Sequence, residues 1–200
     1  MERRKPMALQ EGDALIVVDV QVDFVPGGNL AVPQGEEVVP VINRYIRAFH
    51  DKGLPIFATR DWHPANHCSF QAQGGPWPPH CIQETEGAQF AAGLQLPEEA
   101  IIISKATRPD ADAYSGFDHT ELHERLQALG ARRLFIGGLA TDYCVRATVK
   151  DARSLGYETV LLEDAVRAID AQPGDDQQAK QEMLDAGAQR IAAEDLAEIG

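Results

Sequence analysis

The sequence predicts an α/β fold: three layers, αβα, around a central, mainly parallel six-stranded sheet. Three observations carry this. Short apolar runs alternate with amphipathic stretches of helix length. The runs are apolar at successive positions rather than at every second one, as strands buried on both faces require. Glycines sit just past the ends of the helical stretches, where a left-handed cap residue is needed. Such alternation implies right-handed crossovers and helices on both faces of a parallel sheet.

In order along the chain, strands are expected near 14–19, 55–60, 100–104, 132–137 and 158–163, with a weaker one near 189–192. Between them, Glu36 to Lys52 carries Val38, Val39, Ile42, Ile46 and Phe49 at helical spacing and stops at Gly53. Asp118 to Leu129 stops at Gly130, Thr141 to Leu155 at Gly156, and Asp176 to Ala186 at Gly187. One stretch breaks the alternation. Residues 61–98 hold nine Pro and Gly and three of the six histidines. Connections of this length are functional or disordered. Trp62, Phe70, Trp77 and Phe90 argue for an ordered active-site loop. Residues 1–200 are read as one domain carrying that loop.

Bulk properties narrow the function. A formal net charge of -13 over 200 residues repels phosphate backbones, so nucleic acid is not expected as a partner. The N-terminal stretch has a basic start but no apolar core before Glu11 and Asp13, so no secretory signal is read there. The longest apolar run, ALIVV, is too short to span a bilayer, and no membrane association is expected. Three cysteines, an odd count, suit free thiols in a reducing, cytoplasmic setting. The oligomeric state stays open.

Four residues with chemical capacity close or follow separate strands: Asp19, Asp61, Lys105 and Cys144. In an open parallel sheet the carboxyl ends of the strands share one edge, where ligands bind. Thr141 is expected as the N-cap of the helix that follows, with Cys144 in its first turn. Free N–H groups there would lower the thiol pKa and could hold an oxyanion. Taken singly, each residue has a plainer reading: a strand cap, an exposed charge, a core thiol. Together they supply a nucleophile, a base and a cation. Asp61, His63, His67 and His80 add a carboxylate and three imidazoles within twenty positions, a set suited to zinc, iron or manganese. Asp61 and His63 share one side of an extended segment. His50, His119 and His123 are expected on helices at the surface.

The segments LIVVDVQVDFVPGGNLAV, ATRDWHPANHCSF, WPPHC, SKATRPDADAYSGF and GGLATDYCV together resemble the nicotinamidase/pyrazinamidase branch of the isochorismatase-like cysteine hydrolases. The resemblance implies a catalytic triad of Asp19, Lys105 and Cys144. It implies a cis peptide between Leu139 and Ala140, with the backbone N–H groups of Ala140 and Cys144 as oxyanion hole. It maps metal ligands onto Asp61, His63 and His80, with His67 a further candidate. Zinc is the first choice, iron and manganese the alternatives. It places Phe24, Trp77 and Tyr114 around the substrate ring. The implied activity is metal-dependent conversion of nicotinamide to nicotinate and ammonia in NAD salvage, with pyrazinamide as a second substrate. Cys68 and Cys81 are read as structural. A carbamoyl or ureido amide hydrolase is the nearest rival. A nucleotide-binding module lacks its G-x-G-x-x-G, and a thiol redox protein lacks its C-x-x-C.

Overall fold

The structure, a computed structural model, describes residues 6–199. The basic start, residues 1–5, on which the reading of the N-terminus partly rests, lies outside them. Six strands are present: β1 (Asp13–Val18), β2 (Ile56–Asp61), β3 (Ile101–Lys105), β4 (Arg133–Leu139), β5 (Glu158–Arg167) and β6 (Gln189–Ile191). They form one sheet in the order β3-β2-β1-β4-β5-β6, and every pairing is parallel. Four helices accompany them: α1 (Val38–Asp51), α2 (Leu122–Ala128), α3 (Arg146–Ser154) and α4 (Asp175–Asp185).

The apolar runs are continuous because both faces of the sheet are covered. Leu15 and Val17 of β1 pack into one core with Ile42, Tyr45 and Phe49 of α1. Ala14, Ile16 and Val18 pack into the other, with Leu122 and Leu126 of α2, Val149 and Ala152 of α3 and Met183 of α4. Large side chains such as Phe49, Phe57 and Phe135 are fully buried, each worth roughly 1.5–3 kcal/mol of apolar transfer. Among the described residues no helix is long and apolar enough to cross a membrane.

The strand order decides where a site can form. From β1 the chain winds outward through β2 and β3, then returns to place β4 on the other side of β1. The carboxyl ends of β1 and β4 therefore flank the point where the winding reverses, the usual crevice of an open α/β sheet. Gly138 allows the close approach there. Its φ is 130°, and an added Cβ would run into the backbone of Val18.

Two local expectations are corrected. Asp19 is not the last residue of β1, which stops at Val18. Asp19 turns into the left-handed region at φ 48°, a conformation that Asp tolerates better than most residues and that tends to occur at functional sites. The stretch expected as one helix from Thr141 begins instead with a wide π-type turn, Thr141–Val145, before α3. Thr141 does not cap it. Its Oγ1 is buried without a hydrogen-bond partner, while the Asp142 carboxylate accepts hydrogen bonds from the Ile169 and Asp170 N–H groups.

Candidate active site

The connection from β2 to β3 is tied down by its own backbone. His63 N–H donates to Cys81 O (2.9 Å), Gln83 N–H to His63 O (2.8 Å) and Trp77 N–H to Ser69 O (3.0 Å). Two side chains from the turn after β1 anchor it to the sheet. Gln21 grips the backbone of Asp61, donating from Nε2 to its carbonyl (2.8 Å) and accepting its N–H (2.8 Å). The Asp23 carboxylate accepts the Cys81 N–H (2.7 Å), next to His80, and the Asn29 N–H (3.0 Å). Gly87 is required here, because any Cβ would overlap that carboxylate. Neither Gln21 nor Asp23 was singled out from the sequence. The available signal was a polar pair, Q-x-D, between apolar neighbours.

At the carboxyl edge of the sheet, Asp19, Lys105 and Cys144 come together, all of them buried. The Lys105 ammonium lies 2.9 Å from Asp19 Oδ2 and 3.5 Å from Cys144 Sγ, and it also donates to Asp61 Oδ1 and to the Ala113 carbonyl (3.2 Å). The Thr59 hydroxyl donates to Asp19 Oδ1 at 2.6 Å. Asp19 Oδ2 makes no well-aligned hydrogen bond, and one oxygen each of Asp19 and Asp61 and the Cys144 sulfur lie within 4.8 Å of one another.

The electrostatics correct one expectation. Burial pushes the Cys144 thiol well above its ordinary value, and the nearby Lys105 cation only partly offsets this. The first turn of the helix does not make it a resting thiolate. Burial also raises Asp19, against the pull of Lys105. Burial would likewise raise Asp61, but the Lys105 ammonium beside it outweighs burial and holds the group below the usual carboxylate range. Lys105 is held well above its ordinary value. Burial opposes its charge, but Asp19 and Asp61 more than compensate.

Beside this cluster, ligand atoms of Asp61, His63 and His80 lie within 4.8 Å of one another, all buried. Nε2 of His63 is 3.9 Å from Asp61 Oδ1, and Nε2 of His80 is 4.0 Å from Oδ2. These gaps are too long for hydrogen bonds but are spanned by two metal–ligand bonds of about 2.0–2.2 Å. The tautomers fit as well. Nδ1 of His63 faces the His80 carbonyl at 2.9 Å, and Nδ1 of His80 faces the Pro78 carbonyl at 2.8 Å. A carbonyl only accepts, so each Nδ1 carries the proton and each Nε2 offers its lone pair, as metal-bound imidazoles do. Burial holds His63 down to about 4, so it stays neutral and ready to ligate. Two buried carboxylates share one ammonium, which leaves room in the charge balance for a cation. The donor set fits a divalent transition metal. His67 does not join this group; both its ring nitrogens are engaged elsewhere, with Ser69 and with Ala111.

Phe24, Trp77, Tyr114 and Ala140 line a small cavity with Cys144, Asp61 and His80. Phe24 packs against the His80 ring at 5.6 Å. Tyr143, not anticipated from the sequence, sets its ring 5.1 Å from Trp77 and 5.7 Å from Tyr114. Trp77 Nε1 donates to the Tyr114 hydroxyl at 3.0 Å across the mouth. The cavity measures about 30 Å³, so a ring enters only if these aromatic side chains give way. A roomier hollow of about 410 Å³ lies at the amino ends of β1 to β3, and one of about 500 Å³ lies beyond the end of β5, sharing Ile169 with the small cavity. The peptide between Leu139 and Ala140 is cis. Elsewhere, Cys68 and Cys81 are free thiols. His50 is exposed, paired with Glu99. His119 is exposed but precedes α2 rather than lying on it, and His123 is half-buried against the Tyr157 hydroxyl.

The isochorismatase domain family matches residues 13–195. The chain belongs to this family. Within it, a nicotinamidase of Escherichia coli (strain K12) is 40% identical over 88% of this chain and 92% of its own length. The crystal structure of the pyrazinamidase of Pyrococcus horikoshii in complex with zinc is similar to this fold with a TM-score of 0.87 and 53% identity, covering 90% of this chain and 99% of that one. A structure from L. infantum in complex with nicotinate has a TM-score of 0.87 and 39% identity, covering 96% of this chain and 98% of its own. The family's α/β architecture is the one described above.

Proposed function

We propose that this chain is a metal-dependent cysteine amidohydrolase that converts nicotinamide to nicotinate and ammonia, in NAD salvage in the cytoplasm, and hydrolyses pyrazinamide at the same site. The observation that carries this is a buried thiol, carboxylate and ammonium directly beside a three-residue metal set, under aromatic walls. The similarity to nicotinamidases and pyrazinamidases over most of the chain supports it.

Asp19 Oδ2 takes the Cys144 proton as the sulfur attacks the amide carbon. A thiol held protonated by burial needs such a base, and transfer within the pair leaves the net charge of the pocket unchanged. The oxyanion of the tetrahedral intermediate is held by the backbone N–H groups of Ala140 and Cys144. Asp19 returns the proton to the nitrogen, the C–N bond breaks and ammonia leaves. Asp19 then takes a proton from water, whose oxygen attacks the thioester. The C–S bond breaks, the proton on Asp19 returns to sulfur, and nicotinic acid leaves and ionises to nicotinate. Lys105 stays charged throughout and offsets the negative charge that moves between sulfur and carboxylate. Phe24, Trp77 and Tyr114 hold the flat ring. A divalent ion on Asp61, His63 and His80 would supply a Lewis-acid site for a ring nitrogen.

Ammonia release from nicotinamide by the purified protein tests the reading. Release from a carbamoyl or ureido amide, with none from nicotinamide, would replace it with the rival activity.

A further inference from the structure

His67 is fully buried in the loop between β2 and β3, and its ring centre is 4.3 Å from that of His63. From position alone it passes for another metal ligand. Its hydrogen bonds say otherwise. Nδ1 lies 2.7 Å from Ser69 Oγ and accepts the Ser69 backbone N–H at 3.3 Å. An amide N–H can only donate, so Nδ1 carries the lone pair. Nε2 lies 3.1 Å from the Ala111 carbonyl, which can only accept, so Nε2 carries the proton. The single lone pair of the neutral ring is used within the loop. His63 and His80 have the opposite tautomer, with Nε2 free toward Asp61.

Ala111 belongs to the segment 106–114 that follows β3. This segment matters to the site at its far end. The Ala113 carbonyl accepts from Lys105 Nζ, and Tyr114 meets Trp77 at the cavity mouth. The other side-chain ties between segment and loop, Gln83 to Thr107 (3.3 Å) and Trp77 to Tyr114, are exposed to water. The loop's Cys68 N–H also donates to the Pro109 carbonyl (2.8 Å). The tie from His67 is the more sheltered one, and it falls two residues before Ala113. Hydrogen bonds sheltered from water hold geometry better than exposed ones.

We propose that His67 is a positioning residue and not a metal ligand: it clasps segment 106–114 to the metal-bearing loop and so places Tyr114 and the Ala113 carbonyl at the site. Ser69 fixes the tautomer that makes the clasp.

The test compares His67→Ala, His67→Gln and Ser69→Ala in the full chain. A glutamine amide can put an N–H donor near the place of Nε2 but is a poor ligand for a transition metal. Three quantities are read: metal per chain after dialysis against a weak chelator, amide hydrogen exchange of residues 106–114, and KM and kcat for nicotinamide. In His67→Ala, metal content stays at the wild-type level and exchange in 106–114 accelerates. KM rises about tenfold, the effect of one lost hydrogen bond, and kcat changes less. His67→Gln returns exchange and KM most of the way to wild type, and Ser69→Ala falls between. Loss of metal from His67→Gln would overturn the proposal, as would unchanged exchange in His67→Ala. Should His67→Ala fail to fold, the other two variants decide by the same readings. The kinetic arm rests on the proposed nicotinamide activity. If the wild type proves inactive on nicotinamide, that reading fails while metal content and exchange still judge the clasp.

Discussion

Thr59 is the sharpest place to test the proposed role of Asp19. Its hydroxyl donates to Asp19 Oδ1 at 2.6 Å, with both residues at 0% exposure. Thr59→Val removes the donor and keeps the shape. A hydrogen bond to a charged group is worth about 1.5–3 kcal/mol, and about 1.4 kcal/mol corresponds to one pKa unit. The bond favours the charged carboxylate, so its loss raises Asp19 by about one to two units. Asp19 already stands above its ordinary value because burial outweighs Lys105. The free enzyme needs Asp19 unprotonated to accept the thiol proton. The acid limb of kcat/KM for nicotinamide should therefore move to higher pH by that amount, and the rate on that limb should fall about 10- to 100-fold. Thr59→Ser keeps the hydroxyl and should track the wild type. Ammonia release measured across pH for the three proteins is the assay. Superimposable profiles for Thr59→Val and wild type would refute Asp19 as the base.

Cys144→Ala should lose activity by orders of magnitude with the fold retained, and Asp19→Asn should do nearly as much damage; activity above a few per cent in the cysteine variant would rule out a thioester. Asp61→Ala and His80→Ala should each abolish metal binding, read by elemental analysis. Full occupancy in both would displace the metal site. Benzamide lacks the ring nitrogen and should be a far poorer substrate than nicotinamide, a preference that chelation should erase; equal kcat/KM values with metal present would remove the metal from ring recognition. In the metal-free protein, burial holds His63 down to about 4, against about 6.5 in the unfolded chain. Between those values the unfolded chain takes up the proton and the folded one does not. Stability should then fall as pH drops through that window, by about 3 kcal/mol in total. Denaturant titration of the chelated protein and of His63→Gln, which should lack that component, checks it.

All six strands were legible because a strand buried on both faces is apolar at each step and needs no phase. Their ends were less legible. β4 and β5 run past the expected limits, to Leu139 and Arg167, since glycines and charged residues within them weaken the apolar signal. The turn at Thr141 differs from the expected cap because a capping residue type says nothing of a wide first turn that buries its side chain. The meeting of Asp19, Lys105 and Cys144 follows from strand-end positions plus a parallel sheet. What holds them in place did not follow. Thr59, Gln21 and Asp23 are polar residues whose partners lie 40 to 58 positions away, and one sequence carries no record of such distances. The thiol's protonation is not legible in the sequence, because helix position is visible there and depth of burial is not.

The central place of β1 also fixes the order in which the site can be completed during synthesis. Val17 pairs with Ala58 on one side and with Gly137 on the other. Chains emerge from the ribosome amino end first. Asp19, Asp61, Lys105 and the histidine loop all precede β4 along the chain. Cys144 arrives only when β4 docks against β1, a contact closing over a hundred residues. The walls contributed by Ala140, Tyr143 and Ile169 come with or after β4, so the pocket and its sulfur are completed together.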